Sequence, residues 1–290
     1  MTHFFLFLLS VIGIVIATSA SAADLRPEAI VTVLPKDAIP AILSPTFEEG
    51  QKVSWIGPRD RTFGVSGKLH ANSLIMYDHQ TDSLWSHLVG AAVSGPMKGQ
   101  KLDFLESMLT EWQTWKRLHP NTKVLSSGRG GFLASMRDPY EAYYRSTDTG
   151  IIPPRVLDKR IYPKEYVLGL VMNDKAKAYP FSVLSRRPVL NDHFQGIPLL
   201  IVFDSESATG VIFKRTVGGK ELSFKQTTAP DKKALFLADE TTHSLWQGLT
   251  GTAVQGPLKG KRLKALPMTP SFWFGWVDHY PDTELFAKDR

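Results

Sequence analysis

The chain contains no cysteine at all. That excludes disulfides, thiolate metal sites, iron–sulfur ligation, a cysteine nucleophile and lipid attachment through cysteine. It also lacks any Lys/Arg run of the kind a phosphate-tracking stripe needs. The formal charge of +6, from 34 Lys+Arg against 28 Asp+Glu, therefore reads as weak attraction to anionic polymers or lipid surfaces rather than as nucleic-acid binding. Beyond the N-terminus, no apolar run approaches the roughly 20 residues of a spanning helix. What remains is an ordinary composition, 290 residues with 43% hydrophobic and 21% charged. It is rich enough for one large or two modest cores, and far from the composition of disorder.

Residues 4–17 form an apolar stretch of 14, followed by Thr18-Ser19-Ala20-Ser21-Ala22-Ala23. The stretch is too short to span, and Ala20 and Ala22 fit the small positions before a signal-peptidase cut. The expectation is a signal peptide over 1–22, cleaved before Ala23, although Met1-Thr2-His3 lacks the usual basic residue; an uncleaved anchor is the alternative. The mature chain would be periplasmic or secreted, with no transmembrane segment after cleavage.

The sequence repeats itself. Ser83-Leu84-Trp85-x-x-Leu88-x-Gly90-x-Ala92-Val93-x-Gly95-Pro96-x-Lys98-Gly99-x-x-Leu102 returns 161 residues later, from Ser244 to Leu263, with 12 identities in 20 positions. In the same register Asp78 falls on Asp239, Thr81 on Thr242, Trp112 on Trp273 and Trp115 on Trp276. One gap-free register over this length marks a tandem duplication, with expected units 23–155 and 156–290. The expected class is α+β and β-dominated, two related units in a pseudo-two-fold relation. Residues 62–67, 72–77, 167–172 and 199–203 read as strands. Phe104, Leu105, Met108, Leu109, Trp112 and Trp115 recur at helical spacing and predict a helix over 103–118. Thr269-Pro270 reads as an N-cap and first helical residue of its counterpart.

Asp78 and Asp239 are the first candidates for a functional polar residue, because each copy keeps an acid beside a Thr and a Trp. With Thr81, Trp85, Thr242 and Trp246 they make a possible ligand-binding set. Turn-capping through local backbone N–H groups explains the same residues structurally. A third alternative has the two acids facing each other across the pseudo-two-fold axis. A separate set, Asp78 with His70, His79 and His87, offers imidazole and carboxylate donors for Zn or Cu, although the spacing matches no standard ligand motif. Without that site no cofactor is expected. Trp112, Trp115, Trp273 and Trp276 lie on helical apolar stripes and read as core rather than as a sugar-stacking platform. Ser66 lacks the Gly-x-Ser-x-Gly order of an esterase elbow, and the Gly95/Gly99 and Gly256/Gly260 pairs lack a phosphate-loop ending.

Ile75-Met76-Tyr77-Asp78-x-x-Thr81-x-Ser83-Leu84-Trp85, then Gly90-x-Ala92-Val93-x-Gly95, then His119-Pro120-x-Thr122, resemble the bacterial exported domain of unknown function 3179 family. Asp138-Pro139-Tyr140, Ala178-Tyr179-Pro180 and Asn191-Asp192 resemble it too. The resemblance implies an exported protein and names no activity. The family pattern has a Cys-Pro-Leu-Cys segment where this chain reads Asp204-Ser205-Glu206-Ser207, so a thiol role is excluded here. The functional expectation is an exported binding or accessory protein for an unknown small ligand or cell-envelope component, with no defensible catalytic residue; the alternative is the metal site on Asp78 and the histidines.

Overall fold

Residues 63–78 fold back on themselves as β1 (Phe63–His70) and β2 (Ser73–Asp78), joined by Ala71 and Asn72 at φ +48° and +58°. Two consecutive left-handed residues make the hairpin turn whose twist matches that of paired strands. The structure, a computed structural model, describes residues 62–104, 106–122, 141–150, 152–228 and 234–286. The expected signal segment 1–22, Leu105 and Asp138-Pro139-Tyr140 lie outside the described residues.

The hairpin continues through β3 (Leu84–Ser86) and β4 (Ala91–Ser94) into a four-stranded meander of order β1-β2-β3-β4. Two short helices follow, α1 (Trp112–Leu118) and α2 (Glu141–Arg145). Then come β5 (Tyr166–Met172), β6 (Lys175–Pro180), α3 (Phe181–Leu184), β7 (Val189–Phe194), β8 (Ile197–Asp204) and β9 (Thr209–Lys214). A small ribbon of β10 (Thr216–Val217) and β11 (Lys220–Glu221) leads to β12 (Phe224–Thr227), β13 (Phe236–Asp239), β14 (Leu245–Gln247) and β15 (Thr252–Gln255). The chain closes with β16 (Lys264–Ala265), β17 (Thr269–Phe272), α4 (Trp273–His279) and β18 (Glu284–Leu285).

The sheet β12-β13-β14-β15 is the second copy of the first meander, strand for strand. A third sheet has the order β16-β9-β8-β7; in a fourth, β5, β6 and β18 follow the edge strand β17. Among the described residues strand makes up 41% and helix 11%, which sets the class as β-dominated with helices added. No helix among the described residues is long and apolar enough to cross a membrane.

The chain divides into two compact units. Unit 1 gathers the described parts of Met1–Leu105 and Trp112–Lys164 together with Ser271–Pro281; unit 2 gathers Glu106–Glu111, Glu165–Pro270 and the described part of Asp282–Arg290. The core of unit 2 is β8, where Leu199 to Val202 are all fully buried, backed by Leu168, Leu170, Ile212 and Phe213. These continuous apolar runs reflect strands covered on both faces.

Two sequence expectations require correction. The helix expected over 103–118 is confined to Trp112–Leu118. Residues 106–111 are irregular, and the buried Thr110 hydroxyl accepts from Thr209 at 2.7 Å. An apolar spacing compatible with a helix serves an irregular segment equally well once tertiary contacts decide. Thr269-Pro270 does not open a helix but begins β17, and the helix starts at Trp273 after an uncapped Phe272. Proline, lacking an N–H, is tolerated near the start of a strand at a sheet edge. The helical tryptophans are placed as expected for core: Trp273 and Trp276 are at most 1% exposed and Trp115 is buried, while Trp112 is half-buried.

Candidate functional site

β2 ends at Asp78 and the chain reverses through Thr81 and Asp82 into β3. Asp82 takes the left-handed conformation at φ +52°, and its N–H donates to the Asp78 carbonyl at 2.9 Å. The Asp78 carboxylate is fully buried. Its Oδ1 accepts the Thr81 N–H at 2.7 Å and the Thr81 hydroxyl at 2.8 Å; Oδ2 accepts the Trp85 indole N–H at 2.8 Å. Thr81 and Ser83 share a hydroxyl bond of 2.7 Å, and Ser83 Oγ accepts the Met97 N–H at 3.0 Å.

The second copy reproduces this turn. Asp239 is fully buried, with Oδ1 accepting the Thr242 N–H at 2.5 Å and Oδ2 accepting the Thr242 hydroxyl at 2.8 Å, the Ser244 N–H at 3.1 Å and the Trp246 indole at 3.0 Å. Ser244 Oγ accepts the Leu258 N–H at 3.0 Å, and His243, at the position of Asp82, sits at φ +57°. The correspondence extends outward. Phe63 meets Trp85 edge-on at 5.6 Å, and Phe224 meets Trp246 edge-on at 5.6 Å. Gly95 and Gly256, at φ +89° and +92°, lie so close to Ser83 and Ser244 that an added Cβ would be 2.8 and 2.7 Å from their Cα atoms.

Burial alone would raise the Asp239 carboxyl, but hydrogen bonds from Trp246, Thr242 and Ser244 outweigh it and hold the group below the ordinary carboxylate value. Asp239 is thus an ionised anchor for its own turn, and Asp78 accepts the corresponding bonds in the first copy. The indoles of Trp85 and Trp246, equivocal from sequence, are fully buried with their N–H groups on the acids. These six residues come together as two separate threesomes, each within its own turn.

The structure does not assemble Asp78, His70, His79 and His87 around one point. Asp78 is engaged as above, and the exposed His79 ring lies edge-on to Tyr77 at 4.9 Å. His87 is buried with Nδ1 on the Leu74 carbonyl at 2.7 Å. His70 contacts instead the ring of His279, at 5.8 Å between centroids. Among the described residues no three His, Asp or Glu side chains form a group able to hold a metal ion. A cavity of about 20 Å³ in unit 1, lined by Ser73, Leu88, Phe274 and Gly275 among others, has room for a single water.

Unit 2 brings Tyr179 and Asp192, from two motifs given no role above, together with Lys177, which the sequence does not single out. From β6, Tyr179 donates its hydroxyl to Asp192 Oδ2 at 2.9 Å, and Lys177 Nζ lies 2.6 Å from the same oxygen. The rings of Tyr179, Phe194 and Phe286 lie 5.6 to 5.8 Å from the Lys177 ammonium, and Glu284 reaches it at 3.9 Å. Burial, then the Asp192 charge and the bond to it, push the Tyr179 hydroxyl far above the ordinary phenol value, so it stays a donor. Asn191 does different work: its side chain donates to the Phe224 carbonyl at 2.7 Å and accepts the Phe224 N–H at 2.8 Å. It thereby stitches β7 to β12, the strand whose Phe224 packs on Trp246.

At the end of β8, Ser207 donates to Asp204 Oδ2 at 2.5 Å and shares a 2.7 Å bond with Thr209, which continues to Thr110. The three hydroxyls, all buried, form one chain.

No curated protein and no solved structure matches the chain. The duplicated turns, with their matched acids, indoles and glycines, coincide with two matches to a single family model, one over residues 53–172 and one over 158–290; the chain belongs to the family described as protein of unknown function (DUF3179), present here as a tandem pair.

Proposed function

We propose that the chain is an exported binding or accessory protein, whose ligand is a small molecule or a cell-envelope component, and that its repeated motif is scaffold rather than reaction centre. The observation that supports this reading is the engagement of both motif carboxylates. A general base or nucleophile needs a lone pair directed at substrate. Asp78 and Asp239 are fully buried and hold donors from their own turns on both oxygens. The same arrangement in both copies fits a requirement of the fold. The N-terminal apolar segment with Ala20-x-Ala22 supports export. The charge of +6 favours an anionic envelope component over a cationic one.

Two measurements test the reading. Mass spectrometry of the protein from a periplasmic fraction is expected to give a chain beginning at Ala23. Thermal-shift titration of that protein with fractionated envelope extracts is expected to raise Tm with one anionic fraction, without turnover of it. One equivalent of Zn or Cu in untagged protein, lost on His79→Ala, would replace this reading with the metal-dependent one.

A further inference from the structure

Unit 1 carries three imidazoles at positions that the duplication does not share. His70, His87 and His279 correspond to Asp231, Gly248 and Leu118 in the other copy. At Gly248 an added Cβ would lie 3.0 Å from the Leu235 carbonyl, which the Gly248 N–H itself approaches at 2.8 Å. In unit 1 the equivalent carbonyl, Leu74, is met instead by the His87 ring at 2.7 Å.

His87 and His279 are anchored alike. Each bonds a backbone carbonyl through Nδ1, His87 that of Leu74 and His279 that of Gly275 at 2.9 Å. A carbonyl can only accept, so Nδ1 carries the proton in the neutral ring and Nε2 carries the lone pair. Both Nε2 atoms are buried with no hydrogen-bond partner. Adding a proton to either would place a charged N–H where no acceptor waits.

The rings lie at a junction of three segments distant in sequence. His70 ends β1 and meets His279 at 5.8 Å between centroids. The last turn of α4 is fastened by few bonds: the Tyr280 hydroxyl donates to the Leu88 carbonyl at 3.3 Å, and Asp278 Oδ1 accepts the Val156 N–H at 2.9 Å. Arg155 donates to the Asp278 carbonyl at 2.5 Å. The first turn of α4 is held by the buried Trp273 and Phe274, and the Phe274 N–H also donates to the Pro163 carbonyl at 2.9 Å.

We propose that His70, His87 and His279 form an acid-operated latch: as neutral rings they let the last turn of α4 stay packed against the β1–β3 sheet, where Tyr280 bonds Leu88, and on protonation in acid they release it. The charged and titratable groups at the junction are His70 from β1, His87 after β3, Asp278 and His279 from α4, Tyr280 just beyond it, and Arg155. Burial lowers His87 to about 4, with the Leu74 carbonyl opposing and His279 adding to the shift. Burial likewise lowers His279 to about 4, with Gly275 and Asp278 opposing and His70 and Arg155 adding. His70 is lowered by partial burial and by Arg155. Both deeply lowered groups are neutral in the fold and charged once exposed below their ordinary value, so acid favours the open form. Protonation sets three imidazoliums and a guanidinium against one carboxylate, that of Asp278, whose Oδ1 is engaged by Val156 and whose Oδ2 is buried and unpaired. The latch is independent of what the protein binds.

Hydrogen exchange of the full chain, corrected for the intrinsic pH dependence, reads the latch directly. Between pH 7 and 4.5, amides of 276–281 and 87–90 are expected to lose protection by roughly tenfold or more, while Trp273 and Phe274 stay protected. In a His87→Asn, His279→Asn variant, whose amides can still donate to the two carbonyls, that acid step is expected to vanish. Unchanged protection in wild type, or an undiminished step in the variant, overturns the proposal. Imidazole ¹⁵N titration of the wild type decides even where the variant does not fold: Nδ1–H tautomers with midpoints below 5 are expected, and midpoints near 6.5 overturn it.

Discussion

Trp85 and Asp78 are both completely buried, and the indole N–H donates to the carboxylate at 2.8 Å. The largest side chain of the first meander is therefore oriented by its most polar one. The indole is held by that bond and by Phe63, whose ring stands nearly perpendicular to it at 86°. Trp246, Asp239 and Phe224 repeat the relation.

Removing either acid leaves a buried indole N–H and a part-buried threonine N–H without their acceptor. Asp78→Ala and Asp239→Ala are each expected to cost about 3 kcal/mol, the upper range for orphaned buried donors. Each acid holds donors from its own turn, so the double variant is expected to be additive within about 0.5 kcal/mol. Urea unfolding checks both. A coupling energy well above that figure would show that the two acids share a site.

The sign of the Asp239 shift sets its pH dependence. Its carboxyl is held below the ordinary value in the fold, so the stabilisation is complete above the unfolded value of about 4. It is lost as pH falls through the lower folded value. The stability difference between wild type and Asp239→Asn is expected to be constant from pH 5 to 7 and to shrink below pH 4. A difference that grows in acid would contradict the assignment.

Four glycines separate crowding from backbone strain. Gly95 and Gly256 are left-handed and crowded by serine backbone, whereas Gly99 and Gly260, at φ +88° and +84°, face open space. Alanine at Gly99 or Gly260 is expected to cost about 1 kcal/mol through backbone strain alone. At Gly95 or Gly256 the contact adds roughly 1–3 kcal/mol, the range for overpacking. Thermal denaturation of the four variants gives the ordering.

Lys177 and Asp192 form a nearly buried ion pair, with side chains 10% and 16% exposed. Breaking such a pair from one side is costly because the surviving charge stays desolvated. Lys177→Met is expected to destabilise by about 3 kcal/mol, and Tyr179→Phe by about 1 kcal/mol for its single bond to Asp192. If Lys177→Met is instead neutral in urea unfolding, the pair is not a stability element of unit 2.

The sequence carried the duplicated turns plainly, because acid, Thr, Ser, Trp and glycine stand at fixed local spacing and recur at a fixed offset. Strands β5 and β8 were visible for the same reason, as apolar runs. The Lys177–Tyr179–Asp192 meeting was not, since β6 and β7 are separate strands and no local period relates them. The junction of His70 and His87 with His279 was further still from view: it is made by segments some 190 residues apart in the chain. The helix over 103–118 was overextended because apolar positions that would line one helical stripe are distributed instead among an exposed Phe104, a buried Met108 and a short α1.

The division into compact units has a consequence for the order in which the protein can fold. Unit 1 is completed by Ser271–Pro281, and unit 2 draws in Glu106–Glu111 from far upstream. A chain emerging from the ribosome therefore cannot close its first unit until residue 281 has been made. Contacts so distant along the chain form slowly, which leaves the nascent protein extended for longer than two consecutive domains would be.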